Sequence, residues 1–258
     1  MTEVSEPADT HPATPPLCVC DEATFWPWLS HPRFGSWPNR EGTVVVMPVC
    51  GMADWGIGHA LDAEETVLMH VLRGACGLVS ADRRPLVLPP LRFVFGADPS
   101  CAFAVEQTAA HALIAEVAAS VAACGFRRVA IVNSSPWNEE LCAAAARDLR
   151  VSRGLQMFIV HLSALGLDFH PQRSRDRRVV QTLVTALGGV EPEECGTGGA
   201  TAAAWGEEPV TPLAGPALTL VRARSEAPAA LSRAAGRLAK LLSDIWERPA
   251  LSAKITLP

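Results

Sequence analysis

Two rhythms of apolar and polar residues run through the chain. Thr43 to Cys50 (TVVVMPVC) is a β-branched apolar run, which predicts a buried strand. It breaks into a turn holding Gly51, Gly56 and Gly58. The following DAEETVLMHVLRGACGLV repeats its apolar residues every three or four positions. That spacing predicts a helix with Asp62 as N-cap, Glu65 at the capping-box position and an apolar stripe of Val67, Leu68, Val71, Leu72 and Cys76. Arg84 to Phe95 reads as a second strand, broken at Pro89-Pro90, which cannot join a central ladder without a kink. After the loop GADPSCAF, Val105 to Cys124 is a strong helix with Gly125 at its C′ position.

Arg127 to Asn133 (RRVAIVN) reads as a short, fully buried third strand. Ser135 then suits an N-cap and Pro136 the first position of a helix ending near Val151. Leu155 to Leu162 is the fourth strand. The basic stretch HPQRSRDRR opens a helix through Leu187, and a Gly/Pro-rich loop follows. The last helix runs from about Pro228 to Glu247, with Leu231, Leu238, Leu241, Leu242 and Ile245 on its apolar face.

This alternation predicts an α/β fold: a three-layer α/β/α arrangement around a mostly parallel sheet with right-handed crossovers. Residues 1–20 read as a disordered, acidic, Pro-rich tail with too little apolar surface to offset chain entropy. Residues 21–250 read as a single domain. Between tail and first strand, CDEATFWPWLSHPRFGSWPNREG is expected to pack its aromatics on the domain surface or into a neighbouring subunit.

Composition removes several function classes. A net charge of -5 is at odds with the basic face that nucleic-acid binding needs. No apolar run reaches the ~18 residues of a membrane span. The N-terminus lacks the basic region and apolar core of a secretory signal, so a cytoplasmic location is the expectation. Among the eight cysteines, Cys50, Cys76, Cys124 and Cys142 fall inside apolar patterns and read as buried, reduced thiols. Cys18-Val19-Cys20 is the one close pair, and no second pair completes a zinc-ribbon pattern.

The candidate chemistry gathers after the first strand, where an α/β protein places its site at a strand's carboxyl end. Asp54, His59 and Glu65 could form a residual metal or substrate site; equally, Asp54 could cap a turn, Glu65 close a capping box and His59 bond locally. Asn133-Ser134-Ser135 lacks a nucleophile elbow, and a plain helix cap explains Ser135. Cys101 lies in a loop near the predicted site but has no evident base. His161 sits in a strand, where a satisfied core histidine is the simpler reading. His170 begins the basic loop. Arg173, Arg175, Arg177 and Arg178 place positive charge at a helix start, which an anion or an acidic partner surface would compensate.

These motifs, in this order, resemble the creatininase family of metal-dependent amidohydrolases. In that family the first strand ends in a glycine-serine-x-glutamate-glutamine-histidine-glycine-proline-histidine turn, with an aspartate further on. Here the text is Gly51-Met52-Ala53-Asp54-Trp55-Gly56-Ile57-Gly58-His59, with Glu65 at the aspartate position. The second hallmark, a glycine-phenylalanine-arginine strand start leading to asparagine-glycine-histidine-glycine-glycine-asparagine, corresponds to Gly125-Phe126-Arg127 and Asn133-Ser134-Ser135-Pro136-Trp137-Asn138. Between them, Leu88-Pro89-Pro90-Leu91 with Gly96 and Phe103 fits the family's proline-proline strand and loop. The resemblance spans about residues 25–247 and implies a creatininase-like fold and a tendency to form homo-oligomers.

The same resemblance implies that the family's two-metal centre is degraded in this chain. A first-turn glutamate becomes Asp54, and the first-turn histidine falls on Gly56. The second-turn histidine falls on Ser135, and the acidic position two further on falls on Trp137. A later glutamate position aligns with Arg175, and Cys101 stands where a loop histidine is usual. Asp54, His59, Glu65, Asn133 and Asn138 survive. Trp55 and Trp137 place large aromatics where the family keeps polar or ligand residues, which suggests a plugged pocket or one reshaped for an apolar ligand.

The leading expectation is therefore a non-catalytic, creatininase-like structural or regulatory subunit without a cofactor, homo-oligomeric or paired with an active family member. The alternative is an amidohydrolase acting on a cyclic amide or other C–N bond, with Asp54, His59 and Glu65 holding one divalent ion (zinc, manganese or iron).

Overall fold

The structure, a computed structural model, describes residues 24–53, 61–95, 101–168, 178–188 and 224–249. The first strand is the fully buried β1 (Val44–Cys50). Its side chains alternate between two cores, as the period of two in a strand requires. Val44, Val46 and Cys50 face one core, and Val45, Met47 and Val49 face the other. The same division holds in β8 (Arg128–Asn133), with Ala130 and Val132 on one side and Val129 and Ile131 on the other. Strands buried on both faces read as continuous apolar runs, which is how both appear in the sequence.

Helices cover both faces. On one side lie α2 (Ala63–Leu78), α5 (Arg178–Ala186) and α6 (Ala227–Glu247); on the other lie α3 (Gln107–Ala123) and α4 (Glu139–Arg153). The sheet runs β3-β1-β8-β9 with every pairing parallel. β3 is Leu86–Val87 and β9 is Gln156–His161. The three-layer α/β/α expectation is met.

The second strand is more broken than its sequence suggests. Leu86–Val87 pairs with the start of β1, and β4 (Leu91–Arg92) pairs with its end at Val49 and Cys50. Pro89-Pro90 fills the gap. That gap explains how Pro48 sits in a central strand. Leu88 N–H donates to Val46 O and Phe93 N–H to Cys50 O, so this edge of β1 also holds the nitrogen of Pro48, which has no hydrogen to give. Opposite it the neighbouring strand is interrupted.

The loop expected after Phe95 contains short strands that periodicity cannot detect. β5 (Val94–Phe95) pairs with β7 (Ala104–Val105), and β2 (Met52–Ala53) pairs with β6 (Cys101–Ala102). Two helix-cap expectations need correcting. Asp62 precedes α2 but makes no side-chain cap bond, and Glu65 turns away to another partner. Ser135 precedes a short 3-10 turn, Pro136–Asn138, rather than α4 itself, and its hydroxyl caps nothing. On α6, Leu231, Leu238, Leu242 and Ile245 are buried, but Leu241 is exposed. Cys124, expected in the core, is half-buried.

The aromatic segment before β1 forms a short 3-10 turn at Trp26–Trp28 and helix α1 (His31–Gly35). Trp26 and Phe34 stack on Phe126, and the Arg40 guanidinium lies over Phe34. Trp26 and Phe34 therefore pack on their own domain, while Trp28 is exposed. Among the described residues no helix is long and apolar enough to cross a membrane.

Candidate functional site

Parallel β1, β8 and β9 bring Cys50-Gly51, Asn133-Ser134-Ser135 and His161 to one end of the sheet. The first turn of α2 adds Glu64 and Glu65, and β4 adds Arg92 from the far side of β1.

Glu64 and Glu65 are both buried, at 0% and 1% exposure, and each has a distinct partner. Glu64 Oε2 accepts the N–H of Gly51 at 2.9 Å. Glu65 is held by a two-point pair: Arg92 Nε donates to Oε2 at 2.5 Å and Arg92 Nη2 to Oε1 at 2.8 Å. Such fork-to-fork geometry fixes both planes and is the strong form of a carboxylate pair. Cys50 Sγ sits 3.8 Å from Glu65 Oε2 and 3.5 Å from Leu91 O. Burial, with the charges of Glu65 and Glu64, pushes the Cys50 thiol far above its usual range, so it is no nucleophile at neutral pH.

Gly51 is required by this crowding. A Cβ there would come within 2.7 Å of both Glu64 Oε2 and Ser135 Oγ. Both oxygens thus crowd one point beside a bare backbone carbon. Ser135 is fully buried, and among the described residues the hydroxyls of Ser134 and Ser135 have no hydrogen-bond partner.

Asn133 and Asn138 do structural work. Asn133 Oδ1 accepts the N–H of Ser135 (3.2 Å), while Nδ2 donates to Ser135 O (2.7 Å) and faces His161 Nδ1 at 3.2 Å. An amide N–H donating there needs Nδ1 to be the unprotonated ring nitrogen. Asn138 Oδ1 accepts the N–H of Phe95 (2.8 Å) and Nδ2 donates to Phe93 O (2.7 Å), which ties β5 to the second turn. Trp137 is half-buried and packs on the core beneath α2 and α6. Cys101 is half-buried in β6, opposite Ala53.

An open cleft of about 440 Å³ lies above these groups, lined among the described residues by Met52, Asp62, Glu65, Arg92 and Phe103. Burial first, and then the charge of Glu65, raise the Asp62 carboxyl above its usual range. Phe103 holds a left-handed backbone (φ 53°) that a bulky residue seldom adopts, and its ring is exposed at the cleft.

Of the sequence candidates, then, Ser135 and Asn133 lie at the strand ends and Glu65 on the first turn of α2 beside them, while Asn138, Trp137 and Cys101 act as packing or backbone ties near them. Asp54, His59, Trp55, His170, Arg173, Arg175 and Arg177 lie outside the described residues, as do Cys18, Cys20 and the N-terminal tail. Sequence reasoning missed Arg92 and assigned Glu64 no role. A signal for Arg92 existed: it is the one charge within LVLPPLRFVF, and a charge inside an apolar run calls for a partner.

No family sequence model matches the chain, and no curated protein matches it in sequence. Solved structures match it in shape. A creatinine amidohydrolase (creatininase) superposes with a TM-score of 0.62 at 13% identity, covering 89% of this chain and 100% of its own. A Bacteroides fragilis protein provisionally named a creatinine amidohydrolase gives 0.62 at 12% identity, covering 90% of this chain and 100% of its own. A manganese creatininase gives 0.60 at 13% identity, covering 87% and 99%. In fold, the protein is creatininase-like.

Proposed function

We propose that the protein is a divergent creatininase-like subunit that does not assemble the dinuclear metal centre and acts as a non-catalytic structural or regulatory component. The observation that carries this reading is the Arg92–Glu65 pair: a carboxylate at a position the resemblance gives to a metal ligand already has a guanidinium on both oxygens.

The other donor positions agree. Gly56 offers no side chain, Ser135 a neutral hydroxyl and Trp137 an indole, none of which replaces an imidazole or carboxylate on a hard or borderline divalent ion. Among the described residues no three His, Cys, Asp or Glu side chains are grouped to hold a metal. The residues present therefore do not fit the two-metal centre, and no hydrolytic step is derived through it. As a non-catalytic subunit the chain would assemble with copies of itself or with an active relative that keeps the histidines.

Assays on the purified full chain test this. Creatinine and other cyclic amides, with added Mn²⁺ or Zn²⁺, are expected to show no turnover above buffer. Co-expression with an active creatininase-like protein is the complementary arm, with a mixed oligomer expected by native mass spectrometry. Turnover that disappears in Glu65→Ala, with the variant still folded, would overturn the reading.

A further inference from the structure

We infer that Arg92 is the resident cation of this site: its guanidinium takes the place of a divalent ion as the permanent counter-charge to Glu65, and so excludes metal from the cleft. The inference deepens the non-catalytic reading and rests on its assignment of Glu65 to a former ligand position.

Three observations converge. Glu65 is buried, and a buried carboxylate needs either a bound cation or a charged hydrogen-bond donor. Arg92 supplies that charge with both carboxylate oxygens engaged, which sets a fixed positive charge against the oxygens a metal would use. The guanidinium also reaches the cleft from a fixed backbone position. Arg92 is the residue of β4 in register with Cys50, at the last residue of β1, so the same parallel pairing that builds the sheet delivers the charge.

A guanidinium differs from a metal ion in what it can do. It stays protonated under ordinary conditions, offers only donors, and has no open coordination position at which to bind or polarise a water. It preserves the electrostatic scaffold of the turn while withholding Lewis-acid chemistry. The cleft beside it holds Asp62, so removing the guanidinium would leave two neighbouring carboxyls facing one space.

The test uses Mn²⁺ and Zn²⁺ alone as probes of the full chain, by equilibrium dialysis and thermal melting. The wild type is expected to retain neither ion and to show no shift of its melting temperature with millimolar Mn²⁺. Arg92→Met is expected to take up about one Mn²⁺ per chain and to melt higher with it, and to lose that uptake when Glu65→Gln is added. Arg92→Lys keeps a cation in place and is expected to behave as the wild type.

Wild-type uptake that vanishes in Glu65→Gln would overturn the inference, as would a folded Arg92→Met that takes up no ion. If Arg92→Met does not fold alone, millimolar Mn²⁺ is expected to restore its folding, and failure to do so also counts against it. The two readings can fail separately. Metal-independent turnover would sink the non-catalytic role and leave Arg92 standing, whereas Mn²⁺ bound at Glu65 without turnover would do the reverse.

Discussion

Two arginines sit at opposite ends of the sheet, and their surroundings differ in kind. Arg128 opens β8 at the amino end and is 5% exposed. It donates to Trp246 O and Arg248 O at 2.6 Å each and to Gln156 Oε1 at 3.0 Å, so its partners are neutral and mostly the last carbonyls of α6. Arg92 stands at the carboxyl end with its side chain 46% exposed, and it makes a two-point pair with a buried carboxylate. The first is a helix cap made by a buried charge, favoured by the negative end of the helix dipole. The second is an ion pair on the wall of a cleft. A framework arginine is thus recognised by many neutral acceptors, and a site arginine by a charged acceptor beside open space.

Breaking the amino-end arrangement should cost most. Arg128→Ala leaves the part-buried carbonyls of Trp246 and Arg248 without this donor and frees the end of α6 from β8. The expected loss is about 3–4 kcal/mol, read as a lower urea midpoint with an unchanged slope. Uptake of Mn²⁺ or Zn²⁺ is expected to stay at wild-type level. A loss below about 1 kcal/mol would show that water serves these carbonyls as well as the guanidinium does.

The carboxyl-end pair should respond less, and in a way that distinguishes charge from packing. Arg92→Met strands Glu65 in a buried setting, but the exposure of Arg92 means that water can reach in and soften the penalty. The expected cost is about 2 kcal/mol, with Glu65→Gln alone somewhat lower and the double variant recovering a good part of the sum. Additive losses in that cycle would mean that the two side chains are energetically independent despite their contact.

Much of the fold was legible because its signals are local and periodic. β1 is an unbroken apolar run, β8 carries one from Val129 to Val132, and α2 and α6 carry clear stripes. The site was legible only in outline. Glu65 could be placed on the first turn of α2, but a capping box and an ion pair use the same residue. What decides between them is the register of β4 against β1, forty-odd residues apart in sequence, which no local pattern encodes. Asn138 reads from the sequence as a pocket residue, yet its bonds to Phe93 and Phe95 depend on a two-residue strand too short to show alternation. The pairings β2–β6 and β5–β7 were invisible for the same reason.

Gly51→Ala tests the crowding at the carboxyl end without altering charge. A methyl group there meets Glu64 Oε2 and Ser135 Oγ at 2.7 Å, and both belong to buried side chains with little room to yield. Overpacking of this kind costs about 1–3 kcal/mol, and a value near 2 is expected from chemical denaturation. Pairing it with Ser135→Gly should recover part of the loss, since one of the two clashing atoms is then gone. No recovery would place the clash on Glu64 and on Val94, whose Cγ2 lies 3.0 Å from the added carbon.

The smallest expected effect concerns Asp62, and it carries a pH signature. Burial and the charge of Glu65 raise its carboxyl above the ordinary 3.8 in the folded state. The folded protein therefore binds this proton more tightly than the unfolded chain does. The stabilisation from Asp62 protonation is fully present below the unfolded value and is lost as pH rises through the raised folded value. Above that window the ionised carboxylate opposes folding, with the Arg92 charge offsetting part of the effect. Asp62→Asn removes this dependence. The variant is expected to melt slightly above the wild type at pH 7, with the advantage shrinking as pH falls through the acid range. A difference in melting temperature that stays constant across that range would mean that Asp62 titrates alike in both states, and that the negative charge of Glu65 is so fully met by Arg92 that its neighbour does not feel it.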